Sequence, residues 1–132
     1  NVHQNINKVL VGLDTLNFED GKSIKTALNI VHSQDLSIQF AHVEEGGTDV
    51  SKYSKNLEEN LSSEIKDLGY EIVCFDDTDV VHGIMNYLDV NSIGLLIMIV
   101  RKHSFMERLF QESKTSQMAM LTKTPLLIIH EE

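Results

Sequence analysis

The residues best placed to do chemistry lie between Arg101 and Ser113. The loop Arg101-Lys102-His103-Ser104-Phe105-Met106-Glu107-Arg108-Leu109-Phe110-Gln111-Glu112-Ser113 follows the apolar run Ile93 to Val100 and leads into a helix-like segment that ends near Leu121. A buried strand feeding a loop and then a helix start is the usual seat of a phosphate, because backbone N–H groups and the helix dipole converge there. From Arg101 to Lys123 there are five basic and two acidic residues, a local net charge of +3 that leaves −12 on the rest of the chain. Such a loop can bind a small anion or an acidic partner, or it is a solvated face. Unlike most phosphate-cradling loops, it contains no glycine.

Other reactive side chains are scattered. The six histidines are His3, His32, His42, His82, His103 and His130. None pairs at helical spacing or clusters with cysteine, whereas a metal needs three or four convergent ligands. His103 and Ser104 have no accompanying nucleophile-elbow sequence, so no catalytic triad is expected. Asp76-Asp77-Thr78-Asp79 lacks the spacing and glycine of a calcium loop and is expected to cap and turn the chain. Cys74, the single cysteine, lies in Ile72-Val73-Cys74-Phe75. It is expected to be a small buried hydrophobe, and a lone cysteine fits a reducing cytoplasmic setting.

The elements that position these groups alternate strand and helix. Apolar runs at Lys8–Asp14, Leu36–Glu44, Tyr70–Phe75, Ile93–Val100 and Leu126–His130 predict five strands. Helical spacing places Ile24, Ala27, Leu28 and Val31 on one face. Val50, Tyr53, Leu57, Leu61, Ile65 and Leu68 form a second stripe, closed by Gly69. Val80, Val81, Ile84 and Leu88 form a third, and about Ser113–Leu121 a fourth. Continuous apolar strands between amphipathic helices predict an α/β fold, an open, doubly wound, five-stranded parallel sheet with about four helices. Ligands of such sheets bind at the carboxyl ends of the strands, near the switch in strand order. Those ends are Asp14, Val43-Glu44, Asp76-Asp77 and the loop after Val100.

The chain has 132 residues with 42% hydrophobic and 23% charged content, enough for one domain with a full core. It is expected to be a single domain over residues 1–132, with a polar lead at 1–7 and the look of a piece of a longer chain. The net charge of −9 argues against nucleic acid and anionic membranes as main partners. No apolar run approaches the ~20 residues of a membrane helix.

The order of motifs resembles the universal stress protein family from about Lys8 to His130. The first strand, Val9-Leu10-Val11-Gly12-Leu13-Asp14, follows the family's V-L-V-x-x-D, and the second ends in His42-Val43. Gly94-Leu95-Leu96-Ile97-Met98-Ile99, Met106-Glu107-Arg108-Leu109 and Glu112-Ser113 align without a gap on D-L-I-V-M-G, L-E-R-L and G-S. Pro125 to Ile129 matches the closing strand. The resemblance implies a Rossmann-like fold of the adenine nucleotide alpha hydrolase-like type and a role in stress response.

In ATP-binding members a G-x-x-G pair and a later G-[S/T] cradle the phosphates. The corresponding residues here are Ile99, Lys102, Glu112 and Ser113, so all three glycines are replaced. Ile99 disfavours a positive φ. A Glu112 carboxylate ~4 Å from a phosphate would repel it by about 4 kcal/mol at an effective dielectric of ~20, roughly three decades of affinity. Lys102 offers partial compensation as a point charge. Asp14 matches a nucleoside contact, or else caps the following loop, and Val43 matches a position whose backbone meets adenine.

The resemblance therefore implies a degenerate copy, such as the C-terminal domain of a tandem member, without family-style ATP binding and without catalysis. The expected partner is a second copy or a second domain of the same type, joined through the last strand at Leu126, Leu127, Ile128 and Ile129. The alternative is a nucleotide- or small-anion-binding domain with an altered phosphate loop, built from Asp14, Arg101, Lys102 and Ser113. Phe105, Met106, Leu109 and Phe110 would plug the cleft, offer a partner surface or form a short core-packing helix.

Overall fold

The computed structural model describes residues 7–12, 36–44, 50–61, 66–67, 69–76, 80–101 and 123–131. Five strands form one sheet: β1 (Lys8–Gly12), β2 (Ser37–Glu44), β3 (Tyr70–Asp76), β4 (Leu95–Arg101) and β5 (Leu126–Glu131). Their spatial order is β3-β2-β1-β4-β5, and every neighbouring pair is parallel. Two helices stand among the described residues, α1 (Val50–Asn60) and α2 (Val80–Val90). The segments expected to be helical around residues 24–31 and 113–121 lie outside the described residues, as do Leu13 and Asp14.

The period of two along each strand explains why the runs are apolar throughout. Leu95, Ile97 and Ile99 of β4 join Val9, Val11, Ile38 and Phe40 in one core with Tyr53, Leu57 and Leu61 from α1 and its end. Leu96, Met98 and Val100 join Leu10, Ala41 and Val43 in a second core with Val80, Ile84 and Leu88 from α2. A strand covered on both faces has no polar side to show. Each fully buried Leu, Ile or Phe contributes roughly 1.5–3 kcal/mol.

Polar tips and ring contacts seat the helices. On the α1 side the Tyr53 hydroxyl donates to the Ala41 carbonyl at 3.0 Å. On the α2 side the Tyr87 hydroxyl donates to Gln39 Oε1 at 2.6 Å, and its ring meets Phe75 edge-on with centroids 5.7 Å apart. Gly83 sets the depth of this packing, since a Cβ there would lie 3.3 Å from Phe75 Cδ1.

The end of α2 departs from the expected boundary. Ile93 and Gly94 do not open β4. Instead Ile93 N–H donates to the Leu88 carbonyl at 3.1 Å and Ser92 N–H to Asp89 at 3.4 Å. This is the paired-bond C-terminal cap, with Ile93 and Leu88 in apolar contact within one core. It requires a left-handed residue, and Ser92 supplies it at φ 53°.

Two further expectations are corrected. Val50 heads the α1 stripe in sequence but is 39% exposed, because it is the first helical residue and precedes the turn that meets the sheet. Cys74 is exposed rather than buried, because β3 is an edge strand and covers less of what it carries. Gly69, expected to end a helix, has φ 83° and donates its N–H to the Lys66 carbonyl at 3.1 Å.

Candidate functional site

The strand order places the switch point between β1 and β4. From β1 the chain moves one way to β2 and β3, then returns past β1 through α2 to β4. Crossovers on opposite sides leave a crevice at the carboxyl ends of the two central strands. The ladder there pairs Val11 with Ile97 and Gly12 with Met98. Arg101, at the end of β4, opens the loop singled out in the sequence.

Of the expected site residues, Val43 and Ile99 lie among the described residues. Val43 sits one position before the end of β2, 9% exposed and packed in the α2-side core, in register with Phe75 of β3. A contact through its backbone would fall at the carboxyl edge. Ile99 is 1% exposed in the α1-side core, and in the ladder it pairs with Ile129. The strand continues past it through Val100↔His130 and Arg101↔Glu131. Among the described residues positive φ occurs only at Gly69 and Ser92, so Ile99 is ordinary extended backbone inside the sheet. Asp14, Lys102, Glu112 and Ser113 lie outside the described residues, as do Phe105, Met106, Leu109 and Phe110.

The register adds an electrostatic point that linear sequence conceals. Glu44 and Asp76 are ladder partners at the ends of β2 and β3, so two acidic positions stand side by side on that half of the carboxyl edge. On the other half Arg101 is the ladder partner of Glu131. The register thus sets a pair of acidic positions at the β2–β3 end and a mixed basic and acidic pair at the β4–β5 end.

The three described histidines lie on different elements. His42 is 3% exposed, with its ring 4.4 Å from that of Tyr53, whereas His82 on α2 and His130 on β5 are exposed. Among the described residues no group of three His, Cys, Asp or Glu is arranged to hold a metal ion. Two phenols are perturbed among the described residues. Burial, a hydrogen bond from Tyr70 to Glu58 of 2.7 Å and that carboxylate's charge push Tyr70 up to about 12. Burial, then the charge of Glu71, raises Tyr87.

The expected interface residues, Leu126, Leu127, Ile128 and Ile129, are all half-buried on β5, an edge strand hydrogen-bonded to β4 along one side. The opposite edge, β3, carries exposed Glu71 and Cys74. Sequence reasoning placed Tyr53 on the α1 stripe without its hydroxyl bond to Ala41, and missed Tyr87 and Ser92. Only Ser92 left a readable sign, as a polar residue between the apolar stripe of α2 and the run of β4.

Solved structures share this architecture. A universal stress protein from Archaeoglobus fulgidus in complex with dAMP is 13% identical, with a TM-score of 0.58 over 96% of this chain and 99% of that one. A universal stress protein in complex with cAMP is 16% identical, with a TM-score of 0.56 over 98% and 100%. The universal stress protein UspA from Lactobacillus plantarum is 13% identical, with a TM-score of 0.60 over 96% and 99%. No protein-family profile and no curated protein sequence matches the chain. The chain thus has the fold of universal stress proteins over nearly its whole length.

Proposed function

We propose that this chain is a universal-stress-type domain acting in stress response through dimerisation or regulation, without catalysis and without family-style ATP binding. Ile99 carries the reading. It occupies the position of the first phosphate-loop glycine, yet it is a buried strand residue with its side chain in the α1-side core. A glycine-rich cradle needs backbone that turns outward and lets a phosphate approach, and extended ladder backbone does not present its N–H groups that way.

The dimer part rests on β5. Its four successive apolar residues are half-buried, and an apolar edge strand is a template for a second strand. The partner is a second copy, or a second domain of the same type in the same chain.

Calorimetric titration with ATP, dAMP and cAMP tests the first part. The expected result is no saturable heat at micromolar nucleotide, and saturation there would overturn the reading. Restoring the loop glycines calls for Ile99→Gly, Lys102→Gly and Glu112→Gly together, and the first of these empties a buried site at roughly 3–5 kcal/mol.

A second reading has its own support. Two of the similar structures hold dAMP and cAMP. In this reading the domain takes a nucleotide or a small anion on an altered loop, with Arg101, Lys102 and Ser113 around the phosphate and Asp14 near the nucleoside. Saturable binding that Lys102→Ala weakens would favour it.

A further inference from the structure

A groove of about 530 Å³ opens at the opposite end of the sheet from the switch-point crevice, where α2 ends and β4 and β5 begin. Its volume suits a small molecule. Leu88 and Ile93, both almost fully buried, form the apolar floor, and Pro125 closes one side. Asp89 and Ser92 line it from the end of α2 and Lys123 from the segment before β5, all three exposed.

Two of these residues are locally unfavourable where they stand. Asp89 puts a carboxylate in the last turn of α2, beside the negative end of the helix dipole. Ser92 holds the left-handed conformation of the cap, φ 53°, which glycine would adopt without strain. What serine adds over glycine is a side chain, at a residue that lines the groove. Local rules broken together in one concave place mark a site. The nearby Lys8 ammonium is turned to the Asn91 carbonyl, 3.3 Å away, which leaves Lys123 as the cation of the lining.

We propose that this groove binds a small zwitterion with an apolar side chain, of the size of an amino acid or a dipeptide. Its ammonium faces Asp89 and the carbonyl end of α2, its carboxylate faces Lys123, and its apolar part covers Leu88 and Ile93. The Ser92 hydroxyl adds a hydrogen bond at the helix end. One anionic and one cationic wall over an apolar floor select against a nucleotide, whose several negative charges meet Asp89, and against a purely apolar molecule, which leaves both charges desolvated.

Nuclear magnetic resonance titration of the whole chain tests it, with L-leucine, L-phenylalanine and glycyl-leucine as probes and N-acetyl-leucine amide as the uncharged control. The amides of Ser92, Gly94 and Thr124 are expected to shift saturably with at least one zwitterion, with a dissociation constant on the order of 1 mM or below. Lys123→Met and Asp89→Asn each weaken it about five-fold, the loss of one exposed charge contact. Ser92→Gly also weakens it while raising the melting temperature, so its effect is not loss of fold. Three results overturn the site: no saturable shift with any zwitterion, equal shifts with the uncharged amide, or binding unchanged in either charge variant.

Discussion

Single residues hold two kinds of conformational information in this chain, and both can be measured. Ser92 occupies the left-handed region at φ 53°, where a Cβ crowds the following carbonyl at a cost of about 1–2 kcal/mol. Part of that returns on replacement by glycine, whose unfolded chain is freer. Ser92→Gly is therefore expected to stabilise by about 0.5–1 kcal/mol, visible as a higher denaturation midpoint at unchanged slope. Gly69→Ala at φ 83° runs the other way and is expected to lose about 1 kcal/mol by the same measurement.

Tyr70 carries a pH dependence. Burial and its hydrogen bond to Glu58 hold the phenol protonated in the folded state, up to about 12, against an ordinary 10.0. The folded state thus binds this proton more tightly than the unfolded one, so the contribution is complete below pH 10.0 and is lost as pH rises toward about 12. Tyr70→Phe is expected to flatten that part of the alkaline unfolding curve. An unaltered curve would show that the phenol contributes no linkage.

Elements, rather than residues, decide packing depth and edges. The helix α2 lies close over Phe75 because Gly83 has no Cβ there. Side chains larger than alanine at that position would lift the helix from β3 and break the contact of Tyr87 with Phe75 and Gln39. The two sheet edges differ in kind. β3 shows Glu71 to solvent, a charge that discourages strand addition, whereas β5 offers Leu126 to Ile129. Ile129→Lys is expected to convert a dimer to a monomer in sedimentation velocity while far-ultraviolet circular dichroism is preserved. A folded variant that still sediments as a dimer would rule out this edge.

Apolar burial governs the interior of β4. Ile99→Ala is expected to cost 2–5 kcal/mol of unfolding free energy in denaturant, the range for an aliphatic side chain removed from a tight core. A loss below about 1 kcal/mol would mean that position 99 is not packed as described.

At the scale of the whole molecule, the sheet order sets where a ligand could sit. The reversal between β1 and β4 places a crevice at the carboxyl end, and the cap of α2 leaves a groove at the other. The two lie at opposite ends of the strands of one sheet, so a nucleotide titration and a zwitterion titration should report on separate sets of amides. Shared shifts would mean that one of the two placements is wrong. The fold is common to universal stress proteins, but a fold hosts many functions, so these titrations have to decide function.

Much of the architecture was legible along the chain. Strands covered on both faces leave unbroken apolar runs, and helices covered on one face leave a 3.6-residue stripe, so Val9–Val11, Ile97–Val100 and Leu57 announced their burial through their own spacing. The fold of universal stress proteins, which the order of motifs led one to expect, is the fold found. Non-local facts were not legible. The side-by-side acidic ends of β2 and β3, the exposure of Cys74 on an edge and the seating of Tyr53 and Tyr87 all depend on which strands become neighbours. Periodicity records which face of an element is buried, because that face repeats within the element itself. It does not record what the element is buried against, because that depends on contacts between residues far apart in sequence, and these exist only once the chain has closed on itself.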